Sequence, residues 1–130
     1  MEQKRVYRRI EGFVKVECIS HACGVTTVMT TQTRDIGAGG VKVYLNYSFK
    51  PKNKIQLKIT LPVEYNQPVI NTESEVITSN LIGVIGDTGE EKLYETRFKF
   101  TKIDLNAKQA ITHYVYDWRK KKRKAKFDLA

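Results

Sequence analysis

From Val14 to about Phe100 the chain alternates apolar and polar residues with a period of two, as strands that bury one face do. Val14, Val16 and Cys18 interleave with Lys15 and Glu17, and the Val- and Thr-rich stretch from Gly24 to Thr33 fits a second strand. Val41, Val43 and Leu45 alternate with Lys42, Tyr44 and Asn46 directly after Gly39 and Gly40. Ile55, Leu57, Ile59 and Leu61 repeat the pattern until Pro62, which lacks the N–H that a central strand needs. Two further runs, Thr72 to Val84 and Lys92 to Phe100, flank the turn formers Gly86-Asp-Thr-Gly89. Six strands with short connections predict a mainly β fold, a six-stranded antiparallel barrel whose closure leaves no free sheet edge.

After residue 103 the period changes. Asn106 followed by Gln109 resembles a helix start with a capping box, and Ile111, Tyr114, Val115 and Trp118 recur at helical spacing. That stripe is what a C-terminal helix needs in order to dock on the barrel. The expected organisation is one domain over residues 1–130, with an N-terminal segment 1–9, a barrel 10–103 and a helix 105–124 that ends in a basic stretch.

Length and composition agree with a single soluble domain: 130 residues, 41% hydrophobic and 28% charged. The longest apolar stretches fall far short of a membrane span, and Met-Glu-Gln-Lys-Arg is not followed by the apolar run of a signal peptide. A cytoplasmic protein is expected. The net charge of +9 is unevenly spread, because Arg119, Lys120, Lys121, Lys122, Arg123, Lys124 and Lys126 supply seven of the 23 basic residues. Without them, 16 basic against 14 acidic residues leave only +2. A dedicated nucleic-acid fold more often spreads its charge over a face, so nucleic acid is not the expected partner, although the basic end is the best candidate surface for one.

Cys18, His21 and Cys23 lie close together, but a closed zinc site wants four ligands, and only His113 and scattered carboxylates could complete it. No metal and no cofactor is expected; reduced cysteines at a strand end and turn are. Neither histidine has a recognisable nucleophile or acid partner in the sequence, so no enzyme is predicted. The segment Gly83 to Gly89 lacks the Lys-Ser/Thr pair of a phosphate loop.

The informative chemistry lies in two short constellations, Arg5-Val-Tyr-Arg-Arg9 and Asp35-Ile-Gly-Ala-Gly-Gly40. An arginine fork matches a pair of phosphate oxygens or the O6/N7 edge of guanine, and it also stacks on a base. The Asp35 carboxylate can accept from the N1 and N2 hydrogens of the opposite guanine edge. Glycines after it let ligand and backbone approach closely and allow positive φ in what reads as a sharp turn. In an extended segment Arg5 and Arg9 stand roughly 13 Å apart and point the same way. Lys4 and Arg8 are possible accessory cations, and Tyr7 either covers a base or anchors the segment.

The order Arg-x-x-x-Arg, a β segment, Asp-x-x-x-x-Gly, more β and a closing helix resembles that of PilZ domains, the bacterial receptors for cyclic di-GMP. The likeness runs from about Arg5 to about Lys124, with Arg5 and Arg9 on the first motif and Asp35, Gly37 and Gly40 on the acid, the serine and the final glycine of the second. The serine is replaced here by Gly37. The resemblance implies a split-barrel fold and a cyclic di-GMP site made of Arg5, Arg9, Asp35, Gly37, Gly39 and Gly40. It further implies a role in motility, biofilm, exopolysaccharide production or virulence. Segment 1–9 has little apolar anchoring, and the expectation is that it is mobile without ligand and folds across the barrel on binding. With only four residues before Arg5, the signal is expected to pass to a separate protein in trans. Two alternatives stay open: a nucleotide-blind PilZ-like interaction module, and a nucleic-acid binder acting through the basic helix.

Overall fold

Alternation in the sequence becomes six strands and a helix: β1 Lys15–Ala22, β2 Val25–Gly37, β3 Gly40–Leu45, β4 Lys54–Thr60, β5 Val69–Ile85, β6 Glu91–Lys102 and α1 Leu105–Asp128. The computed structural model describes residues 14–128 except 23, 66, 67, 87 and 90. All neighbouring strands are antiparallel, and the sheet closes in the order β1-β2-β3-β6-β5-β4. The barrel and C-terminal helix expected from the sequence are therefore present.

The inward half of each alternation makes the core. Val16, Cys18, Val43, Leu57, Ile59, Ile70, Val76 and Phe98 have almost no accessible surface. Cys18 lies in the middle of β1 rather than at a strand end, and burial pushes its thiol up to about 12. Three inward polar side chains are satisfied locally: the Ser74 hydroxyl donates to the Ile55 carbonyl at 2.7 Å, Thr96 and Ser79 share a 3.0 Å bond, and Thr72 donates to the carbonyl of Lys102.

β5 is longer than its sequence pattern suggested because it serves two neighbours. Its first part, Val69 to Glu75, pairs with β4, and Glu73 to Ile85 pairs with β6 through three register shifts. Residues 82–85 and 91–93 run past the end of β3, whose Leu45 pairs with Tyr94. The resulting two-stranded ribbon exposes Leu81, Ile82, Val84 and Ile85. Gly86 and Gly89, at φ 99° and 70°, turn the chain at its tip.

α1 begins at Leu105, one residue before the Asn106 that the capping box would make its cap. Asp104 is the cap: its Oδ1 accepts from the Ala107 N–H at 2.7 Å and its carbonyl from the Lys108 N–H at 3.0 Å. The stripe Ala107, Ala110, Ile111 and Tyr114 is buried, with Val115 and Trp118 packed beside it. Between β4 and β5, Tyr65 meets the helix edge-on through the rings of His113 and Tyr114. Its hydroxyl donates to Asp117 Oδ2 at 3.1 Å, and His113 Nε2 lies 3.3 Å from the same oxygen. Burial first and the Asp117 hydrogen bond second push the Tyr65 hydroxyl up to about 12.

Candidate guanine site on the barrel wall

Asp35 lies on a strand, not in the turn where the sequence seemed to put it. Asp35, Ile36 and Gly37 finish β2, and only Ala38 and Gly39 link it to β3. The pairing of β2 with β3 shifts between Thr33 and Asp35, so one extra residue is inserted on the β2 side. Such a bulge reverses the in–out alternation of the strand residues beyond it. Thr33 faces inward opposite Val43 and Ile36 faces inward opposite Val41, while Asp35 between them faces outward opposite Lys42. Without the inserted residue, the spacing of two would put Thr33 and Asp35 on the same face.

The outer wall is then laid out by register. Gly37, Gly40 and Lys99 form one row across β2, β3 and β6, and Asp35, Lys42 and Arg97 form the next. The first row opens on two residues without side chains. A β-carbon on Gly40 would lie 2.2 Å from the Phe98 carbonyl oxygen, whereas one on Gly37 or Gly39 would meet nothing within 4 Å. None of the three adopts the left-handed backbone that the sequence led us to expect. Close approach of β3 to β6, not conformational freedom, is what position 40 requires. The turn is tied to the barrel by the Phe100 N–H, which donates to the Gly39 carbonyl at 3.0 Å.

In the second row Lys42 points outward between Val41 and Val43, yet it is only 4% exposed. Its Nζ lies 3.0 Å from Asp35 Oδ2 and 3.7 Å from Glu95 Oε2. This wall thus holds a buried ammonium flanked by two carboxylates, which sequence reasoning missed. The only hint was a lysine at an outward strand position two residues past the glycine pair.

Of the residues expected to bind ligand, Asp35, Gly37, Gly39 and Gly40 are brought together at the end of the β2–β3 hairpin. Lys4, Arg5, Tyr7, Arg8 and Arg9 lie outside the described residues, as does Cys23. Among the described residues no three of His, Cys, Asp and Glu gather as metal ligands would, and no helix is long and apolar enough to cross a membrane. An open groove along α1, lined by Leu105, Lys108, Gln109, Thr112, His113 and Tyr116, offers neither an arginine nor a carboxylate and shares no residue with the wall.

The family profile of the PilZ domain matches residues 3–117. Among solved structures, the Bacillus subtilis inhibitor of motility MotI/DgrA has a TM-score of 0.67 and 26% identity over 94% of this chain and 54% of that one. The PilZ domain with c-di-GMP of YcgR from Escherichia coli has a TM-score of 0.63 and 14% identity over 95% of this chain and 97% of that one. MrkH of K. pneumonia in its apo state has a TM-score of 0.70 and 15% identity over 96% of this chain and 55% of that one. This chain thus spans about half the length of MotI and MrkH and nearly all of the isolated YcgR domain. No curated protein sequence matches it.

Proposed function

The chain belongs to the PilZ-domain family, and from that premise we propose that it is a cyclic di-GMP receptor whose ligand lies against the outer wall at the β2–β3 turn. The observation that carries this reading is Asp35, turned outward by the bulge beside Gly37, where a β-carbon would meet nothing within 4 Å. A planar base can lie flat where no β-carbon stands, and a carboxylate beside it can accept from the N1 and N2 hydrogens of guanine. The chain direction supports the arginines as the other half. The Thr33 N–H donates to the Val14 carbonyl at 3.0 Å, so Val14, the first described residue, lies beside Thr33, two residues from Asp35. Arg9 is five residues before Val14, and five residues reach at most about 18 Å. Arg5 and Arg9 supply phosphate and guanine contacts in this reading, with Lys4 and Arg8 as accessories.

The neighbour MotI is described as an inhibitor of motility, and motility control is the output we propose, through a protein partner in trans. Exposed aliphatic side chains on the β5–β6 ribbon give such a partner apolar area to bury.

Calorimetric titration with cyclic di-GMP, and with GTP as control, tests the receptor function. Saturable heat with the dinucleotide alone is expected, and it should be lost in an Arg9→Ala protein that keeps the wild-type melting temperature and in an Asp35→Ala protein that circular dichroism shows to be folded. No heat with the folded wild-type protein would overturn the reading and leave an interaction module.

A further inference from the structure

We propose that Arg97 and Lys99, on the outer face of β6, hold a phosphate of the dinucleotide, an assignment that rests on the reading of the β2–β3 turn as its site. The two residues alternate with the buried Thr96, Phe98 and Phe100, so both side chains leave the barrel outward, and both are exposed. Register sets them beside the turn: Lys99 is directly opposite Gly40, and Arg97 is directly opposite Lys42. Neighbouring strands lie about 5 Å apart. A long basic side chain on β6 therefore reaches over a ligand resting on Gly37 and Gly39, where an added β-carbon would meet nothing within 4 Å.

Charge on this wall is paired unevenly. Both nearby carboxylates go to Lys42, with Asp35 at 3.0 Å and Glu95 at 3.7 Å. Arg97 has Lys42 opposite it on β3 and Thr78 opposite it on β5, so the one charge directly across from it is of its own sign. Like charges in that position destabilise a sheet. Lys99, two residues on along the same face, adds a third cation about 7 Å from Arg97. Glu75 is opposite Lys99 on β5, yet among the described residues neither Arg97 nor Lys99 makes an ion pair. Two exposed cations without a carboxylate partner, next to a stretch of wall without side chains, are the complement of a phosphodiester. The guanidinium fork meets a pair of phosphate oxygens, and the ammonium adds a point charge. A bound phosphate also relieves the repulsion between Arg97 and Lys42, so an arrangement that costs stability in the free protein contributes affinity in the complex.

Calorimetric titration of cyclic di-GMP into the wild-type, Arg97→Gln, Lys99→Gln and Lys54→Gln proteins tests the assignment. Lys54 is exposed, lies opposite Glu75 and stands two ladders, about 10 Å, from Lys99. Its removal changes the net charge equally, at a distance where salt screens the effect. R97Q and K99Q should each bind about tenfold or more weakly, the worth of a hydrogen bond to a charged group, while K54Q stays within about twofold. Affinity in R97Q and K99Q should also depend less steeply on salt than in the wild type, because a cation–phosphate contact has gone. The melting temperature of ligand-free R97Q should equal or exceed that of the wild type, since a repulsion is removed. Arg97→Met serves if R97Q does not fold, and the same loss is expected. Wild-type affinity in folded R97Q and K99Q, or an equal loss in K54Q, overturns the proposal alone. Failure of the wild-type protein to bind cyclic di-GMP overturns the receptor reading and this proposal with it.

Discussion

Gly40 lies so close to Phe98 on the next strand that a β-carbon on it would come within 2.2 Å of the Phe98 carbonyl oxygen. The obstacle is backbone, and it sits in the β3–β6 ladder where Val41 pairs with Phe98, so it cannot turn aside as a side chain would. Gly40→Ala should therefore destabilise the fold by about 1–3 kcal/mol through overpacking. Thermal unfolding followed by circular dichroism checks this. An unchanged melting temperature would mean that β3 and β6 can separate without loss.

Its cross-strand partner behaves oppositely. A β-carbon at Gly37 meets nothing within 4 Å, so Gly37→Ser should fold as the wild type does. The hydroxyl restores the group that the second PilZ motif carries there. One added hydrogen bond contributes roughly 0.5–1.5 kcal/mol, so cyclic di-GMP should bind G37S up to about tenfold more tightly. Titration of both proteins at one salt concentration reads this directly.

These two glycines also mark where sequence reasoning reached its limit. Alternation around Val16, Val43, Leu57 and Ile59 was enough to predict six strands, and the Ile111–Trp118 stripe was enough to predict a docked helix, because both are local patterns. The bulge before Asp35 was not legible, since Thr33-Arg-Asp-Ile contains no glycine or break in polarity to announce it. It exists because β2 must match β3 in register, which is a long-range condition. The buried Lys42 arises from the same register and was missed for the same reason. The cap of the helix was misassigned to Asn106, whereas Asp104 caps it because its carboxylate reaches the Ala107 N–H.

The Cys18 thiol should make stability fall in alkali. Its folded pKa is raised from 9.0 to about 12 by burial, so folding favours the neutral form. That contribution is full below pH 9 and is lost as pH rises from 9 toward 12, by about 1.4 kcal/mol per pH unit. Urea midpoints measured at intervals from pH 8 to 11 should fall more steeply in the wild type than in Cys18→Val. The two slopes, rather than the absolute midpoints, decide the point.

Asp117 should control both the docking of α1 and the acidity of Tyr65. Removing it in Asp117→Ala leaves the Tyr65 hydroxyl, on a residue only 6% exposed, without the acceptor it now has at 3.1 Å. A cost of about 0.5–1.5 kcal/mol is expected for the loss of this part-buried hydrogen bond. Tyrosinate absorbance gives an independent check. Tyr65 should ionise below its present value of about 12 yet above the ordinary 10.0, because burial is the larger cause and survives the substitution.

The basic end of α1 separates the dinucleotide reading from the nucleic-acid one. Ending the chain at Arg119 removes six of the seven clustered cations and lowers the net charge from +9 to +4. Every residue assigned to the dinucleotide precedes that point, so cyclic di-GMP affinity should stay within about twofold, well under the tenfold that one lost contact costs. Duplex DNA binding, if the helix carries it, must instead collapse on truncation. In the intact chain its logarithmic salt slope would approach −0.9 per phosphate contact, or about −6 for seven contacts. Filter binding at several salt concentrations, run beside the calorimetric titration on both proteins, should find the dinucleotide arm unmoved. Loss of dinucleotide binding on truncation would bring the helix end into the ligand site and overturn the assignment of binding to the barrel wall and the N-terminal arginines alone.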